Sequence, residues 1–263
     1  MGRMYRINFV YYVYGRFALR DKMIPVKIAL ICCFLPLVSV HLTLMISIAS
    51  ENLHACIPYW SYCHSISATG RQYPEFFVFK ALLIPSAVFM SIYWLLMHHW
   101  LQRITQNKQS PALITSMGIV ASLALIVYTV TLGAPGDSYA LARRIGVVFY
   151  FAFTSFAHLI LLRYLDKIDT RALGIVSEQN KITVICALLV ISAIASAIIG
   201  MLWEGWDNWE NAYEWWFSLA MIALFYLVAR MWRKTRYQLA LSVNKDVSAV
   251  NNDISLDNEN DIK

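Results

Sequence analysis

Six apolar runs, each close to about 20 residues, dominate this chain and leave it few ways to fold. They fall at Ile28–Ala49, Phe76–Met97, Ala112–Leu132, Ile145–Leu165, Val184–Trp203 and Tyr213–Trp232. At about 1.5 Å of rise per residue, each run as a helix reaches across a hydrocarbon layer about 30 Å thick. Lipid offers no hydrogen-bond partners, and a helix satisfies its own N–H and C=O groups. The expected fold is therefore all-α, a polytopic membrane protein built as a bundle of six transmembrane helices. It divides into a basic-aromatic segment at 1–27, the membrane domain at 28–232, and a tail at 233–263 that is expected to be disordered toward its end.

Composition agrees with lipid as the solvent. The chain is 59% hydrophobic and 14% charged, where a soluble domain carries about a quarter charged residues. Lys80 lies inside the second run. A single charge there costs about 3 kcal/mol, which a dozen strongly apolar neighbours at about 0.3–0.6 kcal/mol each offset.

Basic residues near span ends stay on the cytoplasmic side, so their distribution predicts orientation. Eighteen of the 22 Lys and Arg fall in the N-terminal tail, the 2–3 and 4–5 connections and the C-terminal end. The opposite connections hold Arg71, Arg143 and Arg144, while the 5–6 loop carries Glu204, Asp207 and Glu210 and no basic residue. Both termini are thus expected in the cytoplasm, with the 1–2 loop outside. The net charge of +6 reads as topology and attraction to anionic lipid, and nucleic acid is a poor candidate partner.

At the N-terminus, Arg3, Tyr5, Arg6, Phe9, Tyr11, Arg16 and Phe17 interleave charge and rings, which suits a segment lying at headgroup level. No cleavable-signal pattern is expected there, and Arg6 stands where a myristoylation motif needs Ser or Thr. Beyond Val243 the chain is rich in Asn and Asp and too poor in apolar residues to offset its ordering entropy.

The 1–2 loop is chemically the densest stretch. His54, Cys56, Cys63 and His64 fall within eleven positions. In an oxidising compartment Cys56 and Cys63 are a disulfide candidate, with free thiols or a metal set as alternatives; no bound metal is expected. Ser67, Thr69 and Gly70, then Pro74 and Glu75, read either as turn chemistry or as a polar lid over a headgroup-level site. Lys80, Asp137, Arg144 and Glu214 are expected near the same depth, and intramembrane charge is a reason to look for function. Lys80 also sits shallow enough to snorkel to the interface.

His41 and His158 differ in expected depth by about 10 Å, too far for one shared metal; hydrogen bonds between helices are the expected use. Gly118 with Ser122, and Ser192 with Ser196 and Gly200, allow close approach of helices. Trp100, Trp203, Trp206, Trp209, Trp215 and Trp216 are expected in interfacial belts, and Cys32, Cys33 and Cys186 as buried small side chains. No P-loop, HExxH, GxGxxG or nucleophile-elbow pattern occurs. Spans five and six hold no histidine for an HxxxH pair.

The run Ile66-Ser67-Ala68-Thr69-Gly70, followed by Pro74-Glu75 and, at the start of span six, Glu214-Trp215, resembles the signature of a known family. This family comprises the FGF-receptor-activating proteins, the damage-regulated autophagy modulators and the yeast SFK proteins. It also includes post-GPI-attachment lipid remodelling factors and fungal cell-wall-biogenesis proteins. Its members carry a histidine three residues before the glycine of span four, where this chain has Arg143 before Gly146. The resemblance implies lipid biology and points to Ser67, Thr69, Gly70, Pro74, Glu75, Glu214 and Trp215.

Taken together, the residues predict a non-hydrolytic protein that handles or senses lipid headgroups at the outer leaflet through Ser67, Thr69, Glu75, Lys80, Arg144 and Glu214. A lipid-anchor remodelling enzyme using Ser67 or His64 is the alternative, and a small-solute transporter, for which Pro85 would mark a broken helix, is third. Expected partners are membrane lipids and, at the cytoplasmic face, proteins; no cofactor is expected.

Overall fold

The structure, a computed structural model, describes residues 23–106, 108 and 110–238. Most of the basic-aromatic segment and of the C-terminal tail lies outside the described residues. Six helices carry the fold: α1 (Ile24–Ala49), α2 (Glu75–Ile104), α3 (Ala112–Thr131), α4 (Asp137–Leu165), α5 (Val176–Leu202) and α6 (Asp207–Lys234). All six are long and apolar enough to cross a membrane, and no strand occurs among the described residues. This is the architecture of an integral, multi-pass membrane protein.

Every predicted run falls within a helix to within a residue, and most helices run on past it. The α4 helix starts at Asp137, eight positions before the apolar run. Gly136, at φ +106°, breaks the chain there, and the Asp137 carboxylate complements the positive end of the helix dipole. Pro36 and Pro85 both lie inside continuous helices. The α2 helix is therefore unbroken, and Pro85 does not mark the interruption expected of a transporter.

Sequence neighbours pack as spatial neighbours along α1–α2–α3–α4, and α6 closes back onto α1. In lipid this packing rests on close contact and buried hydrogen bonds, since burial of apolar surface gives no advantage over acyl chains. Two glycines permit the closest approaches. A Cβ on Gly118 would overlap the Trp94 indole, and one on Gly146 would sit 2.9 Å from the Ala124 carbonyl. The other small-residue series does not pack this way: Gly200 is exposed on the outward side of α5.

Trp94, Trp100, Trp215 and Trp232 are among the largest fully buried side chains. Trp100 and Trp215 thus turn into the protein. Each has an internal acceptor for its indole N–H, Thr235 Oγ1 at 3.2 Å and the His64 carbonyl at 2.9 Å. Phe34, Val38, Leu42 and Met45 of α1 are exposed, as lipid-facing positions are. The most peripheral helix, α5, buries Glu178, Ile182, Cys186 and Leu189 and little beyond them. Its first turn is clasped to α6 by Glu178, whose carboxylate meets Arg230 at 3.1 Å and Lys234 at 2.7 Å.

Candidate functional site

One face of α1 carries Ser39, Thr43 and Ser47 at spacing four, all buried. Two of these hydroxyls, Thr43 and Ser47, bond to the 50–74 loop and to the start of α2. Thr43 Oγ1 lies 3.0 Å from Thr69 Oγ1, and Ser47 donates to Oε1 of Glu75 at 2.9 Å. Asn52 Nδ2 reaches both Glu75 oxygens, at 3.1 and 3.0 Å. Glu75 is fully buried at the first turn of α2. A buried carboxylate is tolerable here because it accepts several hydrogen bonds and faces the positive end of its own helix. Glu75 and Thr69 therefore join α1, the loop and α2, and neither faces a space that a headgroup can enter.

The same loop is bound to α6. The Asn208 carbonyl accepts from Tyr62 N–H at 2.9 Å. Asn211 Nδ2 donates to the Cys63 carbonyl at 2.9 Å, and Trp216 Nε1 to that of Tyr59 at 3.1 Å. Glu214 Oε2 accepts the Ile66 N–H at 3.2 Å. Gly70 is needed because a Cβ would run into the Phe79 ring. The run from Ile66 to Glu75 together with Glu214-Trp215 is, in structural terms, one docking seam that seals the loop end of the bundle.

The remaining expected site residues separate. Lys80 Nζ donates to the Val130 carbonyl at 2.9 Å and lies 3.9 Å over the Phe76 ring, so it caps the C-terminal end of α3 and does not pair with Glu214. Arg144 is exposed. Its neighbour Arg143 turns inward and donates to the Thr131 carbonyl at 3.4 Å. Ser67 Oγ meets Ser65 Oγ at 3.1 Å and Arg71 Nη2 at 2.7 Å. Neither neighbour is a general base.

Glu214 stands apart from these. It lines a narrow apolar cleft of about 50 Å³ with walls from α1, α2, α3, α4 and α6. Leu83, Leu125, Phe151 and Met221 form its sides, and Tyr128 joins Glu214 as a polar group on the wall. Among the described residues no donor meets Glu214 Oε1, and the Tyr128 hydroxyl is buried without a partner. Arg71 and Glu210 lie within electrostatic reach of the Glu214 carboxylate, and Arg71 and Arg143 within reach of Tyr128. From Glu214 to Ile222 the cleft follows α6 for eight residues, about 12 Å of depth. The helices α4 and α6 touch at few points along it, chiefly Phe151 with Phe217 and Ser155 with Met221.

Both intramembrane histidines are structural, and each has a defined tautomer. His41 Nδ1 lies 2.7 Å from the Leu37 carbonyl and His158 Nδ1 2.8 Å from that of Thr154, so Nδ1 carries the proton in each. The Nε2 atoms accept from Tyr59 at 2.7 Å and Tyr93 at 3.2 Å. Cys56 and Cys63 are disulfide-bonded, with Cα atoms 5.5 Å apart.

Sequence reasoning missed Ser47, Asn52, Asn211, Tyr128, Arg143 and Glu178. The Ser39-Thr43-Ser47 stripe was readable as a polar face at helical spacing. Tyr128 carries no such signal, because a tyrosine in an apolar helix looks like any other core aromatic. No family model, curated protein or solved structure matches the chain.

Proposed function

We propose that the protein binds a phospholipid-like amphiphile at the loop end of the bundle without hydrolysing it. The acyl chain enters the cleft between α4 and α6, and the headgroup rests at Glu214. The cleft carries this reading: a narrow apolar wall about 12 Å deep leads away from a carboxylate with one unused oxygen. Glu214 and Arg71, of opposite charge and within reach of each other, suit a zwitterionic headgroup, the carboxylate taking its ammonium and the guanidinium its phosphate. The distribution of basic residues puts this end at the outer leaflet, with both termini in the cytoplasm. Lipid handling also agrees with the resemblance to the lipid-remodelling and autophagy-modulator family. Of the six residues expected from the sequence, Glu214 keeps the headgroup role in this reading, Arg71 and Tyr128 join it, and Ser67, Thr69, Glu75, Lys80 and Arg144 leave it.

Native mass spectrometry of the gently purified protein tests the proposal. A phospholipid is expected to stay bound to the unaltered protein and to Lys80→Met, and to fall at least fivefold in Glu214→Gln. Equal retention by Glu214→Gln, or no retention by any form together with no labelling by a phospholipid bearing a photoactivatable acyl chain, overturns it.

A further inference from the structure

The 50–74 loop holds a second cluster, on the solvent side of the docking seam. The His54 and His64 rings lie 4.1 Å apart between centroids. One ligand atom from each of His54, Cys56 and His64 falls within 4.8 Å of the others, and Cys63 is bonded to Cys56. We propose that these four side chains form a binding site for a thiophilic divalent ion of the zinc class, and that the Cys56–Cys63 disulfide keeps it closed.

His64 Nε2 is buried and has no hydrogen-bond partner among the described residues. A buried lone pair without a donor is an unmet requirement that a metal ion satisfies. The His54 backbone lies close enough to interact with the His64 ring. The backbone behind the ligands is anchored, with the Cys63 carbonyl bonded to Asn211 and the His64 carbonyl to Trp215.

In the disulfide the two sulfurs are weak donors, and the two imidazoles alone make an incomplete site. A dithiol reductant changes the set. It transfers two electrons and two protons to the Cys56–Cys63 bond, becomes a disulfide itself, and leaves two thiols. On binding a divalent ion these lose two protons and join His54 and His64 in the Cys2His2 set that zinc takes tetrahedrally. The redox state of the compartment thus decides between a stapled loop and a metal-bound one.

Cobalt(II), a coloured stand-in for zinc, tests this on the full-length protein in detergent. It is titrated before and after reduction by a phosphine that is then removed without air. The reduced protein is expected to take one cobalt per chain with a thiolate-to-cobalt charge-transfer band, at least tenfold more tightly than the oxidised protein, and to release it to zinc. Cys56→Ser removes the band, and His54→Ala weakens binding at least tenfold. His54 is exposed, so an unchanged unfolding midpoint of oxidised His54→Ala separates ligand loss from misfolding. No cobalt uptake after reduction, equal uptake in both redox states, or an unaltered affinity in His54→Ala overturns the proposal.

Discussion

The Ile66 backbone N–H donates to Oε2 of Glu214 at 3.2 Å, joining a loop residue to a helix residue 148 positions further along the chain. One carboxylate oxygen is thereby committed to holding the loop, in a residue that also lines the cleft. A change at Glu214 therefore acts on two things that can be separated. Glu214→Gln keeps an acceptor for Ile66 and removes the charge, whereas Glu214→Ala removes both. The expected result is lipid loss in both variants, with a clear drop in the unfolding midpoint in Glu214→Ala alone.

Glu75 makes the opposite case, that of a motif carboxylate with a structural task. Glu75→Ala leaves the Ser47 hydroxyl and the Asn52 amide without this acceptor. A stranded buried donor costs about 1–3 kcal/mol and Asn52 keeps its bond to the Tyr73 carbonyl, so a loss of about 1–3 kcal/mol is expected in detergent unfolding. Protein that remains folded should keep its lipid, since Glu75 does not line the cleft.

Lys80→Met should change stability by less than about 1 kcal/mol. It gives up one hydrogen bond to a helix-end carbonyl and a ring contact, and its apolar stem stays in place. A loss of lipid equal to that of Glu214→Gln would return Lys80 to the headgroup site.

Gly118→Ala puts a methyl group into the Trp94 indole, and overpacking of this kind costs about 1–3 kcal/mol. In Gly200→Ala the added carbon meets Trp206 at 3.3 Å on an exposed face and has room to adjust. Paired midpoints should show a large shift for the first and little for the second. The same comparison measures which of the two small-residue series brings helices together.

His64 supplies a pH dependence. Burial, then the neighbouring His54, hold its pKa below the ordinary value of about 6.5. In this range the unfolded chain binds more protons than the folded one. Stability is therefore full above about pH 6.5 and declines as the pH falls below it. Unfolding midpoints of the oxidised protein between about pH 7.5 and 5 should fall, and His64→Gln should flatten that part of the decline.

How far the sequence alone carries is clear from particular elements. The six helices were legible because lipid imposes a length and a polarity on any segment that crosses it, and both are local properties of the chain. Helix ends ran past the apolar runs, since residues such as Asp137 or Ser177 can continue a helix without being apolar. Glu214 was legible as a charge at the start of an apolar run, and Cys56 with Cys63 as a pair in one short loop. The separation of Lys80 from Glu214 was not legible. Depth along a helix follows from counting residues, but which neighbour a side chain turns toward depends on how the helices are rotated against one another.

The sequence by itself determined six helices long and apolar enough to cross a membrane, because runs of that length can pair their own backbone in lipid as helices. Tertiary structure decided which charges are used up in holding the loop down and which one is left facing an open cleft. Glu75 and Glu214 both belong to the docking seam. Their difference rests on Ser47 and Asn52, which surround the first, and on the cleft bordered by α4 and α6, which the second lines.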